Sequence, residues 1–150
     1  MSPARAVTAV LLAGLGASSL SACAGSPTAG MCVDWVWFDT PADAAADADA
    51  IVRGAVTGRA SSMSLYGQEV TVWQVEVAEW QKGEGDPQID VVSVPATCES
   101  GAPYPDGDPM AADGDVLLLL RADGPRWQTL TPYQGVLPAT PNGALPTEWP

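Results

Sequence analysis

The sequence predicts a mainly β protein: a small barrel of five strands, preceded by one short helix. Three observations carry that prediction. Short runs rich in Val, Ile, Trp and Leu recur from residue 50 onward, separated by Gly, Pro and Asp. One stretch, residues 40–50, places Ala-rich sequence behind a helix-capping signal. Residues 117–120 form an unbroken Leu run, as expected for a strand buried on both faces. A two-sheet sandwich is the alternative that the same strands permit.

The helix comes first. Thr40 is a good N-cap, Pro41 suits the first helical position, and Asp43 sits where a capping-box acid belongs. Two to three turns follow. Asp43 and Asp47 then share a face, which reads as a solvated one. Before the helix, "MCVDWVWF" carries Trp35, Trp37 and Phe38. Such rings can stack on a sugar, but near a domain start they more often pack over one end of the core.

"AIVRGAVTG", residues 50–58, reads as the first strand, with a bulge or tight bend at Gly54. "QEVTVWQVEVAEWQKG", residues 68–83, is the longest β pattern. Val70 and Val72 share one parity, whereas Trp73, Val75 and Val77 share the other. A period of two cannot change face without an extra residue, so a bulge or strong coil is expected near Val72 and Trp73. "QIDVVSVPATC", residues 88–98, is a third strand, ended by Pro95 and Cys98. Residues 99–114 form a Gly/Pro/Asp loop. Two strands flank Asp123-Gly124, a hairpin signal. In the Pro-rich tail, Asn142-Gly143 turns one more weak hairpin, or the tail lies irregularly along the barrel. Five short strands with loop-rich connections favour an OB-like barrel.

The chain opens with one charge at Arg5, then 15 uncharged residues, 6–20. A charged start, a short apolar run and a small-residue exit make a secretory signal. A membrane span needs roughly 20 apolar residues. Leu20-Ser21-Ala22-Cys23 resembles the bacterial lipobox: Leu, a small residue, Ala or Gly, then Cys. That resemblance implies diacylglycerol on the Cys23 thiol and cleavage just before it. The protein would then sit on the extracytoplasmic side of the cell membrane, held by covalent lipid. Two acyl chains hold a protein stably where one does not. The expected organisation is a signal peptide at 1–22, a flexible tether at 23–30 and a single β domain at 31–150.

Loss of residues 1–22 leaves five basic and eighteen acidic side chains, a net charge of −13. Polyanion binding needs clustered Lys and Arg, so nucleic acid is not an expected partner. The same balance offers no electrostatic grip on anionic lipid. The chain has no His, and Lys82 is its only Lys. Its bias to Ala, Gly, Asp, Val and Pro suggests a GC-rich genome, as in actinobacteria. With Cys23 lipidated, Cys32 and Cys98 remain as an even pair in an oxidising compartment, where such pairs usually bridge. Two free thiols, or a redox-sensitive pair, are the alternatives. The bridge would close 67 residues and contribute about 3–5 kcal/mol in the chain-entropy model.

The order of "ADAIVRGAV", "VEVAEWQKGEG", "ATCESG", "DGDVLLLL" and "RWQTL" resembles the netrin-like module of tissue metalloproteinase inhibitors and uncharacterised bacterial lipoproteins. The resemblance spans Met31 to about Thr131. It implies an OB fold and a Cys32–Cys98 bridge. It does not carry over the inhibitors' zinc chelation, which uses a free N-terminal Cys; Cys32 is internal here.

Without His the usual general base near neutral pH is missing. No nucleophile elbow, zinc-protease motif or phosphate-binding loop occurs. No cofactor and no metal are expected. "DGDPMAADGD", residues 106–115, opens like a calcium loop, but Met110 stands where the third oxygen ligand belongs. The leading expectation is a non-catalytic module that binds an envelope protein or a glycan. The strand face carrying Trp73 and the loops around Tyr104 are the first candidates for contact. An envelope hydrolase using carboxylates and a protease-inhibitor-like module are the alternatives.

Overall fold

A computed structural model describes residues 31–97 and 102–150. It is mainly β, with six strands and one short helix. The helix α1 is Pro41–Asp47, and the strands are β1 Ala50–Leu65, β2 Gln68–Lys82, β3 Gln88–Val92, β4 Asp115–Asp123, β5 Arg126–Thr129 and β6 Val136–Pro138. A 3-10 turn occupies Pro109–Ala111.

Five strands close a ring. β1 pairs with β2, β2 with β3, β5 with β4, and β4 with β1, all antiparallel. β3 and β5 complete the circuit in parallel, through only Val91↔Trp127 and Val92↔Gln128. That seam makes an OB-like ring, partly open rather than a sealed barrel. The expected five strands are joined by a sixth. β5 uses the far half of one β4 edge, and β6 uses the near half, from Val116↔Pro138 to Leu118↔Val136.

The Leu run lies in β4 and is buried on both faces. Leu118 and Leu120 fill the ring interior with Val52, Trp73, Val75 and Val91. Leu117 and Leu119 point outward and pack with Ala44, Ala48, Leu130 and Leu137. So α1 and the tail cover the outer face of β1 and β4. Met110 has 0 % exposure and joins the ring-interior core from the 3-10 turn. The side chain that fails as a calcium ligand is a core residue.

The helix is built as its sequence dictates. The Thr40 hydroxyl accepts from the Asp43 N–H, and the Asp43 carboxylate accepts from the Thr40 N–H. Its last carbonyls are met by Lys82, whose ammonium donates to the Ala45 and Ala46 oxygens at 3.0 and 3.1 Å and also to Ala48 O. A cation there also suits the helix dipole.

Other boundaries differ from expectation. β1 runs on to Leu65, where a turn with Tyr66 at φ 53° and Gly67 at φ 79° reverses the chain into β2. Polar residues such as Ser61 and Ser62 form that extension, because pairing with β2 holds it. Near Val72 and Trp73 the extra residue sits on β1, not β2: Arg59 pairs with Trp73 and Ser61 with Val72. β2 therefore runs through with both parities buried, Val72 against Val70 and Val92, Trp73 in the ring. The register does shift beside Gly54, but the extra residue lies on β2 rather than at the glycine: Arg53 pairs with Glu79 and Gly54 with Val77. A Cβ on Gly54 would lie 2.4 Å from Glu76 O. β3 stops at Val92, well short of residue 98. Beyond it the backbone finds partners outside a ladder; Val94 N–H donates to Thr129 Oγ1 at 3.0 Å, and Trp35 Nε1–H donates to Pro95 O at 3.0 Å. The hairpin turn is Gly124-Pro125, with Asp123 paired to Arg126. Asn142-Gly143 does turn the chain, yet no strand follows.

Candidate functional site

Two loops and a strap converge at one end of the fold. The strap is residues 31–38, an extended segment with no ladder of its own. The first loop is residues 102–112, between β3 and β4. The second is the turn 131–135 between β5 and β6. A cleft of about 460 Å³ lies among the loops, lined by Ala96, Pro103, Tyr104, Pro105, Pro109, Ala111, Pro132 and Tyr133 with Asp106 and Asp108. Among the described residues these two carboxylates are its only charged lining.

Asp108 organises the first loop. One carboxylate oxygen accepts from Trp73 Nε1–H at 2.8 Å. The other accepts from the Ser93 hydroxyl at 2.7 Å and the Met110 N–H at 3.0 Å. It thereby caps the 3-10 turn and sets Met110 into the core. The Tyr104 hydroxyl donates to Ser93 O at 2.6 Å. Its pKa is raised, first by burial and then by the Asp108 charge, against hydrogen bonds that lower it. Tyr104 therefore acts as a neutral donor at neutral pH, and its ring forms cleft wall.

Gln134 organises the second loop. It is buried, and its side-chain amide grips the backbone of Phe38 twice: Phe38 N–H donates to Oε1 at 2.9 Å, and Nε2–H donates to Phe38 O at 2.8 Å. Trp149 Nε1–H reaches the same carbonyl at 2.9 Å. Thr131 Oγ1 accepts from the Gln134 N–H, closing the turn at 2.9 Å. A Cβ on Gly135 would lie 2.7–2.8 Å from Thr131 O, Leu130 N and Thr129 Cβ, so only glycine fits. This clamp sets Trp37 beside Tyr133, ring centroids 6.4 Å apart and planes tilted by 45°. Both are half or more exposed, at 66 % and 50 %.

The expected site residues fare differently. Cys23 and Cys98 lie outside the described residues. Cys32 lies on the strap and is exposed. The chain neighbours of Cys32 and Cys98 do meet: Val33 N–H donates to Thr97 Oγ1 at 2.6 Å, and that hydroxyl approaches Val33 O at 3.2 Å. The strand face carrying Trp73 is not a contact surface. Trp73 is buried, bonded to Asp108 and covered by the Arg59 guanidinium 5.3 Å from its ring. The loops around Tyr104 do line the cleft. Trp35 and Phe38 pack, Trp35 edge-on to Tyr66 at 5.9 Å and Phe38 against the outer core. Tyr133 and Gln134 escaped the sequence reading, because no local pattern marks them.

Among the described residues no group of three His, Cys, Asp or Glu could hold a metal ion. Among the same residues no helix is long and apolar enough to cross a membrane. Comparison with known proteins returns no matching family model, no matching curated protein and no matching solved structure.

Proposed function

We propose that this chain is a lipid-anchored cell-envelope protein whose β domain is a non-catalytic binding module. The anchor is diacylglycerol on Cys23, and it holds the domain on the extracytoplasmic face of the membrane. A Cys32–Cys98 disulfide staples the strap to the residues after β3; the Val33–Thr97 contact supports it. The observation that carries the binding role is the cleft between Tyr104 and Tyr133. Its walls are prolines and aromatic rings, surfaces that hold a ligand with little loss of side-chain freedom. Its ligand is an envelope protein segment or a glycan.

A hydrolase reading draws on one observation, the sharing of this cleft by Asp106 and Asp108. Against it, Asp108 accepts three hydrogen bonds from the protein, so most of its acceptor capacity is committed to structure. A photo-reactive residue at Ala111, exposed on the cleft wall, tests the binding role in the native envelope. Expected is a discrete adduct that disappears in Tyr133→Ala. The same adduct from a probe at Asp47, on α1, would reject the cleft as the binding site.

A further inference from the structure

Among the described residues, the large apolar side chains left exposed are Met31, Val36, Trp37 and Tyr133, at 50–66 %. All four lie on the strap or touch it. The strap alternates in role: Trp35 and Phe38 bond and pack inward, while Val36 and Trp37 face solvent. Its first residue follows Cys23 by eight positions, so covalent geometry keeps the Met31 Cα within about 29 Å of the Cys23 Cα.

Resting on the lipid anchor proposed above, we propose that the strap lies on the bilayer, with Trp37 and Tyr133 in its headgroup region. The occupant of this apolar surface is therefore the lipid itself. Trp and Tyr favour that region because an apolar ring and a polar edge are both satisfied there. The tether raises the effective concentration of bilayer at the strap, so even a weak apolar contact is populated. Charge cannot supply the attraction, since the mature chain carries −13, the strap bears Asp34 and Asp39 follows it directly. Those two carboxylates, both exposed, keep the contact shallow. Tyr133 also lines the cleft, so a ligand entering it would be met at the membrane surface.

The test uses the mature lipoprotein, with the lipid on Cys23 verified by mass. It is reconstituted in phosphatidylcholine vesicles with and without brominated acyl chains. Bromine at the membrane should quench Trp emission, and Trp37→Phe should lose at least half of that quenching. Phenylalanine keeps the ring packing on Tyr133, and the exposed position tolerates it. Retention of the signal at high salt is also expected, as for an apolar contact. Equal quenching in both proteins, or none in a lipidated sample, overturns the strap's placement. Dimerisation of Cys23→Ser through the strap, without quenching in the parent, does the same by naming another occupant. A mature chain without lipid overturns the anchor, and the inference with it.

Discussion

The ring and its rim are held by different forces. The ring is packed by alternating apolar side chains: β4 alone sends Leu118 and Leu120 inward and Leu117 and Leu119 outward. The rim, where the strap and the two loops meet, rests on two polar hubs. Asp108 holds the cleft wall, and Gln134 holds the strap. Burial of apolar area is nondirectional and spread over many residues. A polar hub is concentrated in one side chain, and cutting it leaves buried donors or acceptors unpaired. The rim can therefore be loosened by single substitutions that leave the ring folded.

The strongest challenge to that contrast is Leu118→Ala. It opens a void between β4 and the ring interior and should cost about 2–5 kcal/mol. Chemical denaturation should show a global loss, with every spectroscopic probe shifting together. If the rim alone responded, the ring would not be the stability core.

Gln134→Leu should act more locally. It orphans the Phe38 N–H and should cost roughly 1–3 kcal/mol. Amide exchange at Phe38 should accelerate well beyond that at Val52 or Leu118. Uniform acceleration would mean that ring and rim open as one unit.

Tyr104→Phe is the gentlest cut, about 1 kcal/mol at neutral pH for the lost bond to Ser93 O. It also sharpens the contrast through pH. The folded protein raises the Tyr104 pKa above its unfolded value near 10. The neutral hydroxyl thus contributes stability that is complete below that value and is lost as pH rises through the folded pKa. The stability gap between parent and variant should shrink in strongly alkaline solution; a gap that widened there would contradict the burial of this hydroxyl.

Legibility in the sequence follows the same division. Thr40, Pro41 and Asp43 announced the helix because a capping box is closed within four residues. The Leu run announced a doubly buried strand because burial on both faces leaves no room for a polar side chain. Gly54 announced a close backbone approach, because a Cβ there meets Glu76 O, but the extra residue of the neighbouring bulge lies on β2. The polar half of β1 was hidden, since Arg59 to Leu65 is held as strand by its pairing with β2 rather than by its own composition. Gln134 was hidden too. Its partner Phe38 lies 96 positions away, and a lone Gln beside a Tyr carries no periodic signal. Met110 was visible but misplaced: read against a calcium loop it was a missing ligand, whereas packing makes it core. The cleft was half legible. Tyr104 stood out among prolines; Tyr133 needed the fold to bring it across.

The contact between Lys82 and the end of α1 reaches into the laboratory. The domain's sole ε-amine is engaged by three peptide carbonyls. Succinimide esters and other amine-seeking reagents thus meet a poorly available nucleophile on the folded domain. A ligand bound in the cleft would be better trapped through carboxylates or aromatic rings, both of which line it.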